Sequence, residues 1–300
     1  MPSPLIENRL PDEGINTSKE HPLRELVWLL GAALVGFGLV LAGLTFLAGW
    51  LAPNIPFQHE QALAQRLGIG TKNPLYGAQD EALQQLVNRL VVRMDLPQGM
   101  DIRVRLEPSD QVNAYATIGG HVVVYAGLLK KLASEEALAA LLAHEMAHVK
   151  HRHVAASAGR GLAISLALTL LSADAGGAVA QSVFGLASQA ALMSYSREHE
   201  TQADADALAA MIALYGHGAG YLQLFETLQK TESDIPDALR SAGFMRSHPL
   251  TEDRLQAAHQ LARQNGWSLQ GPFTALPAAL KDIPEEKSSV RLRQALSRPQ

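Results

Sequence analysis

Cysteine is absent from all 300 residues. Disulfides, thiolate metal sites and a cysteine nucleophile are therefore excluded, and any transition-metal site has to be built from histidine and carboxylates. Long basic runs are missing too: 25 Lys and Arg against 29 Asp and Glu leave a net charge of −4 at pH 7. Without a basic patch there is no electrostatic footprint for a phosphate backbone, so nucleic acid is set aside as a partner. No segment recurs at a fixed period, which argues against solenoids and other repeat architectures. What the chain does have is apolar surface, 47% of its residues, ample for a packed core.

Charge vanishes entirely over residues 26–52, with Trp28 and Trp50 near the two ends. Such a helix spans roughly 40 Å at about 1.5 Å per residue, more than the ~30 Å of a hydrocarbon core, and interfacial aromatics belong at its ends. The stretch reads as a transmembrane anchor. A cleaved signal peptide is the competing reading, but the apolar run is too long and no small-x-small cleavage site follows. Arg9, Lys19 and Arg24 precede the span, and the next basic residue is Arg66. Positive-inside bias then predicts a single-pass protein of the bacterial inner membrane, its main body periplasmic.

Residues 1–25, polar and broken by prolines, read as a disordered tail, and 53–74 as a linker. Leu83, Leu86, Val87, Leu90 and Val91 fall at helical spacing, predicting a helix from Asp80 to Met94. Ile102, Val104 and Leu106 alternate with arginines as a half-buried strand does. Two further strands, Ala114–Ile118 and His121–Tyr125, flank the Gly119-Gly120 turn. One helix is predicted from Ser134 to His153, others over Arg197–Leu214 and around Tyr221–Leu228, and a last one capped by Thr251 and closed by Gly266. Residues 161–193, almost free of charge but interrupted by Asp174 and Gly176-Gly177, read as a helical hairpin packed on the domain or against the bilayer, with two further spans as the alternative. Residues 271–300 read as a loose tail. The domain itself covers 75–270: α+β, mostly helical, with a small sheet beside the histidine-bearing helix.

That helix carries His144-Glu145-Met146-Ala147-His148. At about 100° per residue both histidines lie on one face, one turn apart, and can grip one ion, while Glu145 sits one step round, in reach of a water on it. The spacing alone also suits a pair of surface histidines, so a third ligand decides the matter. Val154 stands where a metzincin would place its third histidine, and His151 lies a turn too far along the axis. His151 and His153 therefore read as neighbours of the site or as surface groups. On the predicted helix after Ser196, Glu200 shares the small, apolar face of Ala203, Ala207 and Met211. A carboxylate on a buried face is costly unless paired or bound to metal. Glu200 is thus the preferred third ligand, and Asp204, one turn on, can accept the free ring N–H of a liganding histidine. The alternative is that both are ordinary solvated acids.

His144-Glu145-x-x-His148, then Ser196-Arg197-x-x-Glu200-x-x-Ala203-Asp204, then Ser247-His248-Pro249 with Arg254, resemble metallopeptidase family forty-eight, the gluzincins that include HtpX, BepA-type periplasmic proteases and the CAAX prenyl proteases. The resemblance covers about residues 75–268. It implies one Zn²⁺ per chain held by His144, His148 and Glu200, with Glu145 as general base. It also implies that a substrate peptide joins a strand before the metal helix, at Asn113, Ala114 and Tyr115 onward or along His121–Tyr125. His248 is then a further ligand, a transition-state donor, or only a packing residue. Arg254 pairs with Asp204 or with an oxyanion. A single span departs from HtpX and brings the BepA-type members closer.

Three functions follow as candidates. The first is a membrane-anchored zinc endopeptidase acting on protein substrates in envelope quality control. The second is a membrane-tethered chaperone or assembly factor, with envelope assembly partners and a latent or structural metal. In the third, His144–His153 is a metal-buffering tract for which Glu200 is dispensable.

Overall fold

The computed structural model describes residues 22–70, 76–171, 195–233 and 244–284. Most of the expected N-terminal tail, the second arm of the predicted hairpin and the chain beyond 284 lie outside the described residues.

Helix α1 (Pro22–Leu51) carries the uncharged run. Its 30 residues extend about 45 Å at 1.5 Å each. Trp28 and Trp50 are 70% and 62% exposed, and the helix is long and apolar enough to cross a membrane. Residues up to Gly43 form one compact unit, and Leu44 opens the other.

In that second unit the segment predicted as linker holds a helix, α2 (Phe57–Arg66). It forms because Ala64 has a place to bury, against Gly119, where an added Cβ would come within 2.8 Å of Ala64 Cβ. Helix α3 (Gly77–Val91) buries Leu83, Leu86, Val87 and Leu90, the stripe read from the sequence. Three strands follow: β1 (Arg103–Glu107), β2 (Ala114–Thr117) and β3 (His121–Tyr125). They form one sheet in the order β1-β3-β2, β1 parallel and β2 antiparallel to β3. Gly119 and Gly120 make the turn between β2 and β3 at φ 76° and 79°, a region where a side chain is strained.

The outer edge of β1 is closed by side chains of α3. Val104 N donates to Gln84 Oε1 at 3.0 Å, Gln84 Nε2 donates to the Ile102 carbonyl at 3.0 Å, and Leu106 N donates to Asp80 Oδ1 at 2.7 Å. Strand β3 is paired on both sides, so His121–Tyr125 cannot receive a further strand. Among the described residues β2 is the open edge.

A short helix, α4 (Ala126–Leu129), leads into α5 (Glu135–Lys150). Ser134 caps α5, its Oγ accepting from Ala137 N at 3.1 Å. From Glu136 to Val149 every residue of α5 is buried, so this is the central helix of the fold. Helix α7 (Arg197–Tyr215) packs along it, and α8 (Ala219–Ser233) packs on its N-terminal half. Burying Leu138, Leu141 and Leu142 completely contributes about 1.5–3 kcal/mol each.

The single helix predicted from Ser134 to His153 is in fact two. It ends at Lys150, Arg152 takes φ 62°, and α6 (His153–Leu171) begins. The break is tertiary in origin. Arg152 reaches out of the helix path to donate to the carbonyls of Pro53 at 3.2 Å and Ile55 at 2.5 Å, and pairs with Glu60 at 2.5 Å.

Helix α9 (Phe244–Ser247) precedes α10 (Glu252–Asn265), which stops at Gly266 with φ 67°. Thr251 does stand at the N-cap of α10, but its side chain makes no capping bond. The segment predicted as tail from 271 is tied down as far as α11 (Ala278–Lys281): Thr274 N donates to both Glu136 oxygens at 3.0 and 2.8 Å, and Leu276 and Leu280 are buried.

Candidate metal centre

Where α5 crosses α7, Ala147 and Ala203 are both fully buried, and such small side chains let two helices approach closely. His144 and His148 from α5 and Glu200 and Asp204 from α7 face one another there, all buried. Glu200 lands in this position because Ser196 caps α7, accepting from His199 N at 3.2 Å, and so fixes the phase of the helix. His248, one residue past α9, completes the group and is fully buried.

Four donors converge. His144 Nε2 lies 3.1 Å from His148 Nε2 and 3.5 Å from Glu200 Oε2. His148 Nε2 lies 3.3 Å from Glu200 Oε1. His248 Nδ1 lies 3.2 Å from His144 Nε2 and 3.0 Å from Glu200 Oε1. A tetrahedron with bonds of about 2.0–2.1 Å has edges of roughly 3.3–3.4 Å, so this separation of ligand atoms suits a tetrahedral Zn²⁺. Glu200 Oε2 also lies 2.8 Å from Arg254 Nη1, an ion pair that holds the carboxylate from behind. The residues present therefore fit a divalent cation, and all four belong to one buried group that could hold it.

The electrostatics agree. Burial opposes ionisation of Glu200, but His248 beside it, the hydrogen bonds from His148 and His248, and His144 together hold its carboxyl far below the usual range. Burial pushes the His148 imidazole well down, aided by His144 and His248, so it stays neutral with a lone pair to give. At His144 burial is outweighed by Asp204 and Glu200, which raise its pKa, so a metal competes there with a proton.

Behind His144 lies a buried ion pair. His144 Nδ1 is 3.0 Å from Asp204 Oδ1, which turns Nε2 toward the centre. Burial disfavours the Asp204 carboxylate, but two hydrogen bonds from Arg254 and one from His144 bring its pKa below the ordinary value. Of the two partners open to Arg254, the structure brings it to Asp204, and it also reaches Glu200.

Glu145 is fully buried, and neither oxygen accepts a hydrogen bond from the described residues; His248 Nε2 is 3.5 Å from Oε1. A buried carboxylate with no partner costs several kcal/mol of stability unless a function keeps it. Glu145 is thus held beside the donor group with both oxygens uncommitted.

Strand β2 packs on α5. Tyr125 N donates to the Asn113 carbonyl at 3.0 Å, so Asn113 and Tyr115 turn their backbone toward β3, and Ala114 and Ala116 turn theirs to the open edge. On the same side Val112 O accepts from Phe244 N at 3.1 Å, which brings α9 and His248 to the end of that edge. Of the three residues expected to meet substrate, Ala114 turns its backbone to the edge away from β3, as Ala116 does, though both are buried; Asn113 and Tyr115 turn theirs to β3.

Of three further neighbours, the sequence reading offers His153 as a neighbour of the site or a surface group and gives no role to Tyr195 or Gln202. Tyr195 stacks on His148 with ring centroids 3.8 Å apart at 20°. His153 meets His148 from the start of α6, and Gln202 meets His153. An aromatic just before the Ser196 cap is the one available hint, since a residue there lies over the first turn of α7. His151, one turn beyond His148, pairs with Asp206 at 2.9 Å and stands away from the centre.

The sequence profile of Peptidase family M48 matches residues 77–262. A beta-barrel assembly-enhancing protease from Yersinia pestis is 30% identical over 166 residues, 52% of this chain and 33% of the relative. The mitochondrial metalloendopeptidase OMA1 of Schizosaccharomyces pombe is 31% identical over 57% of this chain and 50% of its own. A protease HtpX homolog from Salinibacter ruber is 32% identical over 48% of this chain and 50% of its own. The chain thus spans a third to a half of the length of the curated relatives it matches.

Proposed function

Because this chain belongs to peptidase family M48, we propose that it is a membrane-anchored zinc endopeptidase cleaving peptide bonds in proteins of the bacterial envelope. The observation that carries the reading is the convergence of His144, His148 and Glu200 at tetrahedral spacing, beside a buried Glu145 with no partner among the described residues. Zn²⁺ held there by His144, His148 and Glu200 would supply Lewis acidity and make the attacking water more acidic.

The chain's own residues do the rest. Glu145 takes the proton from the attacking water and delivers it to the leaving amine. Asp204 and Arg254 keep His144 in the ligating orientation. A substrate segment adds to the edge of β2 away from β3, toward which Ala114 and Ala116 turn their backbone groups. Helix α1 holds this machinery at the membrane, on the periplasmic side if the basic flank stays in the cytoplasm. Misfolded or stalled envelope proteins fit that location. Casein cleavage by the purified full chain, abolished by a chelator and restored by Zn²⁺, tests the reading; activity indifferent to chelator rejects it.

One observation favours a second reading. His248 Nδ1 sits at tetrahedral spacing from His144 and Glu200, so the four-donor set suits a closed shell with no place for water. A chaperone or assembly factor with a latent metal site has this arrangement, as does a protease at rest. Zinc-loaded full chain that never cleaves casein, with or without His248→Ala, favours the chaperone; cleavage by either favours the protease.

A further inference from the structure

A histidine that binds metal through one ring nitrogen carries its hydrogen on the other, and that hydrogen needs an acceptor. For His144 the acceptor is a carboxylate, Asp204. For His148 it is another imidazole: His148 Nδ1 lies 3.1 Å from Nδ1 of His153, and His153 Nε2 lies 3.1 Å from Gln202 Oε1.

One order of hydrogens along this chain leaves His148 able to ligate through Nε2. Gln202 Oε1 accepts from His153 Nε2–H, the bare His153 Nδ1 accepts from His148 Nδ1–H, and the His148 Nε2 lone pair faces His144 and Glu200 at 3.1 and 3.3 Å. Reversing the Gln202 amide reverses the whole row. His153 then carries its hydrogen on Nδ1, His148 carries its own on Nε2, and that hydrogen points into the ligand cluster.

We infer that His153 is a positioning residue, an uncharged acceptor that fixes the ligating tautomer of His148, with Gln202 fixing His153 in turn. This rests on the metalloenzyme reading above and adds residues to it. The fold supports the role. The left-handed turn at Arg152 ends α5 and brings His153, the first residue of α6, back against His148. His153 is 3% exposed, and its ring stacks on His199 at 3.9 Å and 16°. Tyr195 stacks on His148 itself, so the plane of the ligand ring is held while His153 holds its hydrogen.

The test compares two substitutions in the full-length chain in detergent, with Zn²⁺ and Co²⁺ as probes. His153→Asn returns an oxygen close to the Nδ1 position, whereas His153→Leu fills the space without an acceptor. Zinc affinity by chelator competition should fall about 10–100-fold in His153→Leu, the usual cost of losing such a partner, and recover most of that in His153→Asn. The visible spectrum of the Co²⁺ form should change in the first and return in the second. Gln202→Leu, at an exposed position, should weaken binding less than His153→Leu and shift the nitrogen-15 tautomer pattern of His148; it decides the matter if His153→Leu does not fold. Equal affinities for the Leu and Asn variants, or an unchanged tautomer pattern in Gln202→Leu, overturn the inference. If the unmodified chain binds no Zn²⁺, it is the metalloenzyme reading that has failed.

Discussion

Arg254 grips Asp204 through two nitrogens, Nε and Nη2, each 2.7 Å from a carboxylate oxygen. Both side chains are buried, and the same guanidinium holds Glu200 with Nη1 and the Pro249 carbonyl at 3.0 Å. One side chain from α10 thereby pairs with two acids of α7. Replacing Arg254 with Met leaves the buried Asp204 without its two-pronged partner and takes an ion-pair partner from Glu200, and we expect a loss of about 3–5 kcal/mol in the metal-free protein. Arg254→Lys keeps the charge but cannot bind in two-pronged fashion, so it should recover only part of it. Chemical denaturation of the three proteins in chelator measures both.

Glu145→Gln separates chemistry from binding. Removing the base should lower peptide cleavage by about 10²–10⁴-fold. Zinc affinity should not change, because Glu145 is outside the four-donor group. Stability should hold or rise, since the substitution removes a buried charge that has no hydrogen-bond partner among the described residues. Cleavage at the original rate in a zinc-loaded variant contradicts the role given to Glu145.

His121 gives a pH dependence independent of the metal. Burial pushes its pKa below the ordinary value, with Arg103 and Arg105 adding to the effect. Its ring fills the space beside Gly70, where an added Cβ would come within 2.2 Å. With the folded pKa below the unfolded one of about 6.5, the native state is favoured fully above pH 6.5, and that contribution is lost as pH falls through and below it. The urea midpoint should therefore drop less steeply between pH 7 and 5 in His121→Gln than in the unmodified chain.

Gly220 sets how closely α8 lies on α5. An added Cβ there would come within 2.4 Å of the Glu136 backbone, which has no freedom to move inside a buried helix. Gly220→Ala should cost about 1–3 kcal/mol by overpacking. Because Glu136 also holds Thr274, the substitution should loosen residues 272–281, which hydrogen exchange would register.

Much of this is readable in the chain before folding. The one-turn spacing of His144 and His148 is a local property, and Glu200 announces itself as an acid on an apolar helix face, a contradiction that burial near a cation resolves. The strands around Gly119-Gly120 and the stripe of α3 follow from period and turn chemistry. What the sequence conceals is tertiary. The break at Arg152 has neither glycine nor proline to mark it; it exists because carbonyls of Pro53 and Ile55, about a hundred residues earlier, draw the guanidinium away. His153 for that reason opens a new helix instead of closing the one its spacing predicts, and of the two places open to it, beside the site or at the surface, only the fold selects the contact with His148. The segment around Leu276 and Leu280 reads as part of a tail because it is short, broken by Pro272 and Pro277, and runs into the charged stretch from Lys281, yet both leucines find a buried place beside the core.

The central claim is that α5 and α7 together hold one Zn²⁺, and anomalous diffraction at the zinc edge from crystals of the metal-loaded full chain tests it most directly. One peak per chain is expected within about 2.0–2.2 Å of His144 Nε2, His148 Nε2 and a Glu200 oxygen. A zinc peak bound to the histidines with Glu200 beyond bonding range, or no peak between the two helices, would contradict it.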